Sequence, residues 1–187
     1  MSNRHPESSS AVLGGQLLLA HPSLKDENFK HTVILIASHD SEGAMGVVIN
    51  RPLDKTLGEL NDEFGQSPLA QVPLFAGGPV QPTQVILCVW RPHPASDGFQ
   101  LMFGIDPQRA AELIDEEGVH MLAFLGYAGW TSGQLEEELT RDTWVVSPLV
   151  ADLLEDSPDE QLWRDLLGQI DDEWKLLANE PEDPSLN

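Results

Sequence analysis

Short apolar runs separated by polar connections dominate the first hundred residues, the pattern of a strand-rich region. GQLLLA (15–20) reads as a short buried strand, and HPSLKDENF as the loop behind it. HTVILIAS (31–38) and AMGVVIN (44–50) are rich in β-branched residues, and the five residues HDSEG between them include a glycine, which predicts a hairpin. Pro52 has no N–H to give to a ladder, so the second of these strands is expected to end there. VPLFAGG (72–78) and TQVILCVW (83–90) are further strands. GFQLMFGI (98–105) follows the turn-rich RPHPASDG, which predicts a second hairpin.

Helical signals are scattered between and after these runs. In TLGELNDEFG, Thr56 and Glu59 stand three apart as a capping box and Gly65 is a stop, so a helix is expected over about 57–64. Asp106-Pro107 has the cap-then-proline order of a helix start, with Gly118 behind Glu117 at the far end. VHMLAFLGYAG (119–129) is an apolar strand, QLEEEL (134–139) a helix, and TWVVS (143–147) a strand. Ser147-Pro148 and Ser157-Pro158 mark two more helix starts. Ser157 with Glu160 makes a capping box, and Leu162, Trp163, Leu166, Leu167 and Ile170 follow at helical spacing. Hairpins first and scattered helices later predict an α+β domain with a mixed, mostly antiparallel sheet. The βαβ alternation of a doubly wound fold is missing.

Length fits one domain: 187 residues are enough for a full core. We place the domain at residues 13–178, after a polar, Ser-rich segment (1–12) expected to be disordered and before a flexible acidic tail (179–187). No apolar run reaches the roughly 18–20 residues of a spanning helix, and MSNRHPESSSAV lacks the apolar block of a secretory signal. The one cysteine, Cys88, cannot form an internal disulfide, and a cytoplasmic protein without membrane contact is expected.

Charge changes the picture most. Against 31 acids stand 10 Lys and Arg, for a net of −21. Residues 1–105 hold ten acids and six bases, while residues 106–187 hold 21 acids and four bases. Proteins that grip DNA neutralise phosphates with clustered cations, and an acidic half of this kind repels a duplex. The purified protein is therefore expected to leave duplex DNA unshifted in a gel at physiological salt. A sequence-specific shift at sub-micromolar protein would overturn that expectation.

GYAGWTSGQLEEEL (126–139) concentrates glycines, aromatics and hydroxyls ahead of three acids. Thr131 and Gln134 stand three apart as a capping box, Ser132 is a competing cap, and a helix start at Gly133 would leave free N–H groups and a positive dipole end. Gly126, Gly129 and Gly133 are expected where a ligand or another strand comes close, with Tyr127 and Trp130 packed beside them. The spacing is that of neither a P-loop nor a dinucleotide fingerprint, and Glu136, Glu137 and Glu138 repel phosphate.

This stretch resembles the signature of the AlgH/YqgE family, a set of uncharacterised bacterial proteins. HTVILIASHDSEGAMGVVINRPL (31–53) is similar to the family's second block and FAGGPV (75–80) to its third, so the resemblance spans most of residues 13–146. It implies an α+β fold whose sheet bends into a barrel-like shape with flanking helices, and it implies no established activity. Some members carry a label as transcriptional regulators of exopolysaccharide production that rests on phenotype. Cys88 stands where many relatives are expected to have histidine, and the C-terminal end lacks the family's His-containing finish. No role tied to those histidines carries over.

The remaining chemistry is sparse. Asn50-Arg51-Pro52 follows a strand, where Arg51 can hold a carboxylate or phosphate or can make a surface ion pair. Gly77-Gly78-Pro79 can free a backbone edge in the same way. His21, His31 and His39 with Asp40 do not match a zinc spacing, so no metal and no cofactor is expected. Cys88 in VILCVW reads as a buried, inert thiol. No catalytic set emerges. The first reading is a non-catalytic binding or interaction protein with an unidentified protein or small-molecule partner. Its candidate site is Asn50, Arg51, Gly77, Gly78, Tyr127, Gly129, Trp130, Gly133 and Gln134. A transcriptional regulator acting through a protein partner is the second reading, and a hydrolase using His39 and Asp40 the third.

Overall fold

In the computed structural model, which describes residues 13–96, 98–150, 152–155 and 158–180, the first apolar run becomes β1 (Leu17–Ala20). All four of its side chains are buried. A strand covered on both faces reads as a continuous apolar run instead of an alternation. β1 lies between β2 (Val33–Asp40) and β9 (Trp144–Ser147), antiparallel to both. β2 and β3 (Gly43–Val48) form the expected hairpin, but its connection is two residues, Ser41 and Glu42, not five. The ladder continues through His39, Asp40 and Gly43 beyond a register shift at Ala37, the residue between Ile36 and Ser38 that has no opposite number on β3.

Pro52 does not end β3, which stops at Val48; it opens β4 (Pro52–Thr56), a strand absent from the sequence reading. PLDKT shows no apolar face because β4 is a sheet edge with largely exposed side chains, and there a proline at the first position is tolerated. β4 pairs with β5 (Pro73–Ala76). Thr56 caps as expected, its backbone N–H donating to the Glu59 carboxylate at 2.7 Å. The single helix expected over 57–64 is two separate turns, α1 (Leu57–Leu60) and α2 (Asp62–Gly65). Asn61 between them is extended, and its side chain accepts the Phe64 N–H at 2.9 Å.

β6 (Val80–Pro92) and β7 (Phe99–Phe103) make the second hairpin. α3 (Pro107–Leu113) is capped by Asp106 and stops four residues short of the expected end. β8 (His120–Thr131) leads into α4 (Gln134–Thr140). Ser147-Pro148 does not start a helix: Ser147 closes β9, and α5 (Asp152–Glu155) begins later. α6 (Glu160–Ile170) is capped by Asp159, whose carboxylate accepts the Gln161 N–H at 2.9 Å. Ser157, the cap expected there, lies outside the described residues, as do 1–12 and 181–187. α7 (Asp172–Ala178) is the last element among the described residues.

β8 joins two groups of strands. Its first half, to Leu125, runs between β5 (parallel) and β6 (antiparallel), and its second half, from Ala128, pairs antiparallel with β3. The order β4-β5-β8-β3-β2-β1-β9, with β6 and β7 branching from β8, curls into a half-barrel. The fold is thus α+β with a mixed, mostly antiparallel sheet. Leu17, Leu19, Val33 and Leu35 point to one face, against Trp163 and Leu167 of α6. Leu18, Ile34 and Ile36 point to the other, against Trp130, Leu135 and Trp144. No helix among the described residues is long and apolar enough to cross a membrane.

Candidate functional site

The residues singled out in the sequence fall in three places. At the end of β8, Trp130 is buried and its indole N–H donates to the Glu138 carboxylate at 2.9 Å. The same oxygen accepts the Trp144 indole N–H at 2.7 Å, while the other accepts the Gln134 amide at 3.0 Å. The side-chain oxygen of Gln134 in turn accepts the Thr131 N–H at 3.1 Å, so the Gln134 amide is used on both sides. The capping box is only half formed. α4 starts at Gln134 itself, and its cap is Gly133, at φ +77° and without a side-chain hydrogen bond. Ser132 does not cap either; its hydroxyl donates to the Ser41 carbonyl at 2.6 Å and ties this turn to the β2–β3 hairpin. Gly129 departs from expectation most clearly: it is an exposed strand residue opposite Met45 in which a Cβ would find ordinary contact.

Gly77 and Gly78 lie where the chain leaving β5 crosses β8. A Cβ on Gly77 would strike the Gly126 carbonyl, one on Gly78 the Tyr127 backbone, and one on Gly126 the Gly78 carbonyl. The three glycines make a mutual backbone crossing, and Tyr127 beside it is half-buried against the α6-side core. The Gly77 carbonyl also accepts the Val48 N–H at 2.8 Å, which ties the residue after β5 to the end of β3.

Asn50 and Arg51 occupy a third place, a cleft between the sheet and the C-terminal helices. Asn50 is 1% exposed; its side-chain oxygen accepts the Val33 N–H at 2.9 Å and its amide donates to the His31 carbonyl at 2.9 Å. His31 has a left-handed conformation (φ +58°), and its ring lies 4.3 Å from that of Trp163. The half-buried Arg51 donates to the Asn28 carbonyl at 2.7 Å and the Lys30 carbonyl at 3.1 Å. Burial lowers its pKa from the ordinary arginine value, opposed by the fields of Glu160, Asp26 and Glu27. Across the cleft, half-buried Arg164 of α6 donates through Nε to the Ala178 carbonyl at 3.3 Å. The cavity between these walls measures about 420 Å³, and a second of about 640 Å³ adjoins it, sharing Arg51, Glu160 and Arg164.

Among the described residues no carboxylate forms an ion pair with Arg51 or Arg164, whereas Arg91, Arg109 and Arg141 each have one. Glu160 and Arg164 stand four apart on α6, the spacing of a helical ion pair, yet both face the cleft unpaired with each other. Arg164, Glu160, Lys30 and His31 were absent from the sequence reading of the site. Arg164 left one usable trace, as one of four cations in an acidic half.

The histidines are dispersed. His21 contacts Ser23 and the edge of Trp174, and His31 lies on Trp163. His39 is buried, its Nδ1 accepting the Leu13 N–H at 3.2 Å and its Nε2 lying 2.7 Å from Glu136, so both ring nitrogens are engaged. A backbone donor at Nδ1 places the proton on Nε2, which donates to the carboxylate. Glu136 is held below the ordinary carboxylate value by its own backbone N–H first and by His39 second. Among the described residues no three His, Cys, Asp or Glu side chains are grouped as metal ligands. Cys88 is buried, and its burial pushes the thiol up to about 12.

The family model described as AlgH-like matches residues 17–175. A UPF0301 protein of Streptomyces coelicolor is 37% identical over 187 residues, covering 94% of this chain and 95% of its own. Another, from Xylella fastidiosa strain M23, is 40% identical over 170 residues, covering 85% and 89%. The solution structure of the AlgH protein from Pseudomonas aeruginosa matches with a TM-score of 0.65 at 28% identity, covering 98% of this chain and 100% of its own. The crystal structure of protein DIP2367 from Corynebacterium diphtheriae shares the fold, with a TM-score of 0.68 at 24% identity over 96% of this chain and 95% of its own.

Proposed function

The chain belongs to the AlgH-like family, and we propose that it is a non-catalytic binding protein whose Arg51–Arg164 cleft takes a small ligand bearing a carboxylate or phosphate group. One observation carries the reading: two half-buried arginines share a cleft without an ion-paired carboxylate among the described residues, in a chain with 31 acids to ten Lys and Arg. Arg51 is anchored by two backbone carbonyls, which fixes its guanidinium and uses two of its five N–H donors. A prepositioned fork loses little entropy when it closes on an anion. A cavity of about 420 Å³ falls in the usual range for small-ligand sites, roughly 300–1,000 Å³. The non-catalytic part rests on His39, with both ring nitrogens engaged, and on the buried thiol of Cys88.

Native mass spectrometry of the purified protein is expected to reveal a bound acid. Titration calorimetry with a panel of carboxylates and phosphate esters should then give binding that weakens by about tenfold or more in Arg51→Gln and in Arg164→Gln, since charge-assisted pairs are worth roughly 1.5–3 kcal/mol. Binding that is unchanged in both variants, or no binding by the unmodified protein, sinks the proposal.

A further inference from the structure

The cleft is dipolar, and from that we infer the class of its ligand: a zwitterion with a carboxylate and an ammonium group, either a free amino acid or a short peptide. This inference rests on the anion-binding reading of the same cleft and narrows it. The cationic side is Arg51 and Arg164. The opposite character comes from the exposed carboxylates of Glu160 and Glu180. Lys30 also lines the cavity but is already within 3.4 Å of Glu27, which offsets its charge.

Glu160 decides between ligand classes. It lines both cavities, and its field acts on Arg51, yet it ion-pairs with neither arginine among the described residues. Arg164 lies four residues along the same helix but gives its Nε to the Ala178 carbonyl. Both charges of an available intrahelical pair are thus turned to the cavity without meeting. A ligand with one negative group leaves Glu160 facing its own like charge. A phosphate ester is worse, because it carries about −1.5 to −2 charges, and the adjoining cavity adds Asp54 and Asp159 to its surroundings. A carboxylate on the arginines with an ammonium on the exposed Glu160 answers both signs. The adjoining cavity gives an amino-acid side chain or a second peptide unit somewhere to extend.

The test is titration calorimetry of the full chain with the free amino acids and glycylglycine, each beside its N-acetyl counterpart, which keeps the carboxylate and loses the ammonium. The expected result is that at least one amino compound binds and that acetylation weakens it by about tenfold. In Glu160→Gln the two forms should bind within about threefold of each other, and in Arg51→Gln both should weaken. Binding by free amino acids alone identifies a single amino acid as occupant, and binding by glycylglycine alone a peptide; either result supports the inference. If N-acetyl compounds or simple carboxylates bind as well as the amino parents, the zwitterion is wrong and the anion cleft stands. If neither these compounds nor the anion panel bind, both readings fall.

Discussion

Gly126→Ala is expected to lower the unfolding free energy by about 3–5 kcal/mol, enough to leave a typical domain marginal at 37 °C. Two costs combine. Gly126 has φ +73°, where a Cβ meets the following carbonyl, and its Cβ would also enter the space of the Gly78 and Val80 carbonyls and the Pro82 Cα. Strain of the first kind costs roughly 1–3 kcal/mol and forced overpacking about as much again. The obstructing atoms are backbone, so no side-chain rotation relieves them. Gly129, three residues on, is the internal control. It is exposed in a regular stretch of β8, and Gly129→Ala is expected to be neutral or to stabilise by up to about 1 kcal/mol, since glycine weakens a strand interior. Urea melts of the two variants should therefore separate by several kcal/mol at similar m-values. Equal midpoints would mean that the Gly77–Gly78–Gly126 crossing does not constrain the fold.

That contrast shows where sequence reasoning reaches its limit. Gly126 and Gly129 have similar neighbours in GYAG, and nothing local distinguishes them. Only the passage of residues 78–82 across β8 does, and that is a tertiary event. The strands that were legible, β1, β2, β3, β5, β6, β7, β8 and β9, bury or half-bury apolar side chains and show them as runs. β4 was not legible because an exposed edge strand has no apolar face to advertise. The split of α1 from α2 turns on one extended residue, Asn61, in a segment whose composition suits either outcome.

The site divides in the same way. Asn50 and Arg51 were visible because they follow a strong strand signal and precede a proline. Their partners across the cleft come from α6, more than a hundred residues later, where Glu160 and Arg164 look like an ordinary solvent-facing pair at helical spacing. An unmade ion pair cannot be read from spacing; it depends on Arg164 reaching the Ala178 carbonyl of the next helix. His31 shows a similar effect. Its left-handed backbone has no signal in the local sequence HTVIL, and its carbonyl is held by the Asn50 side chain, nineteen residues away.

Trp130→Ala should cost about 3–5 kcal/mol, the usual range for removing a buried aromatic from a core. Trp130→Phe should cost less, roughly 1–2 kcal/mol, because most of the buried ring remains and only the indole N–H to Glu138 is lost. The informative quantity is the coupling between Trp130 and Trp144, whose rings meet edge-on with centroids 6.1 Å apart and whose N–H groups share one Glu138 oxygen. When one indole is removed, the carboxylate is freed to reorient toward the other and toward Gln134, so the two losses should not add. A double-mutant cycle of Trp130→Phe and Trp144→Phe is expected to give an interaction energy of about 0.5 kcal/mol or more. Losses that add to within about 0.3 kcal/mol would show that Glu138 does not bind the two rings into one unit. The same variants probe the site from a distance. Trp130 packs on one face of β1 and β2, while Trp163 and the Arg51 cleft lie on the other, so a folded Trp130→Phe protein should keep its ligand affinity. Loss of binding in a variant that still melts cooperatively would move the recognition surface from the Arg51 cleft to the end of β8.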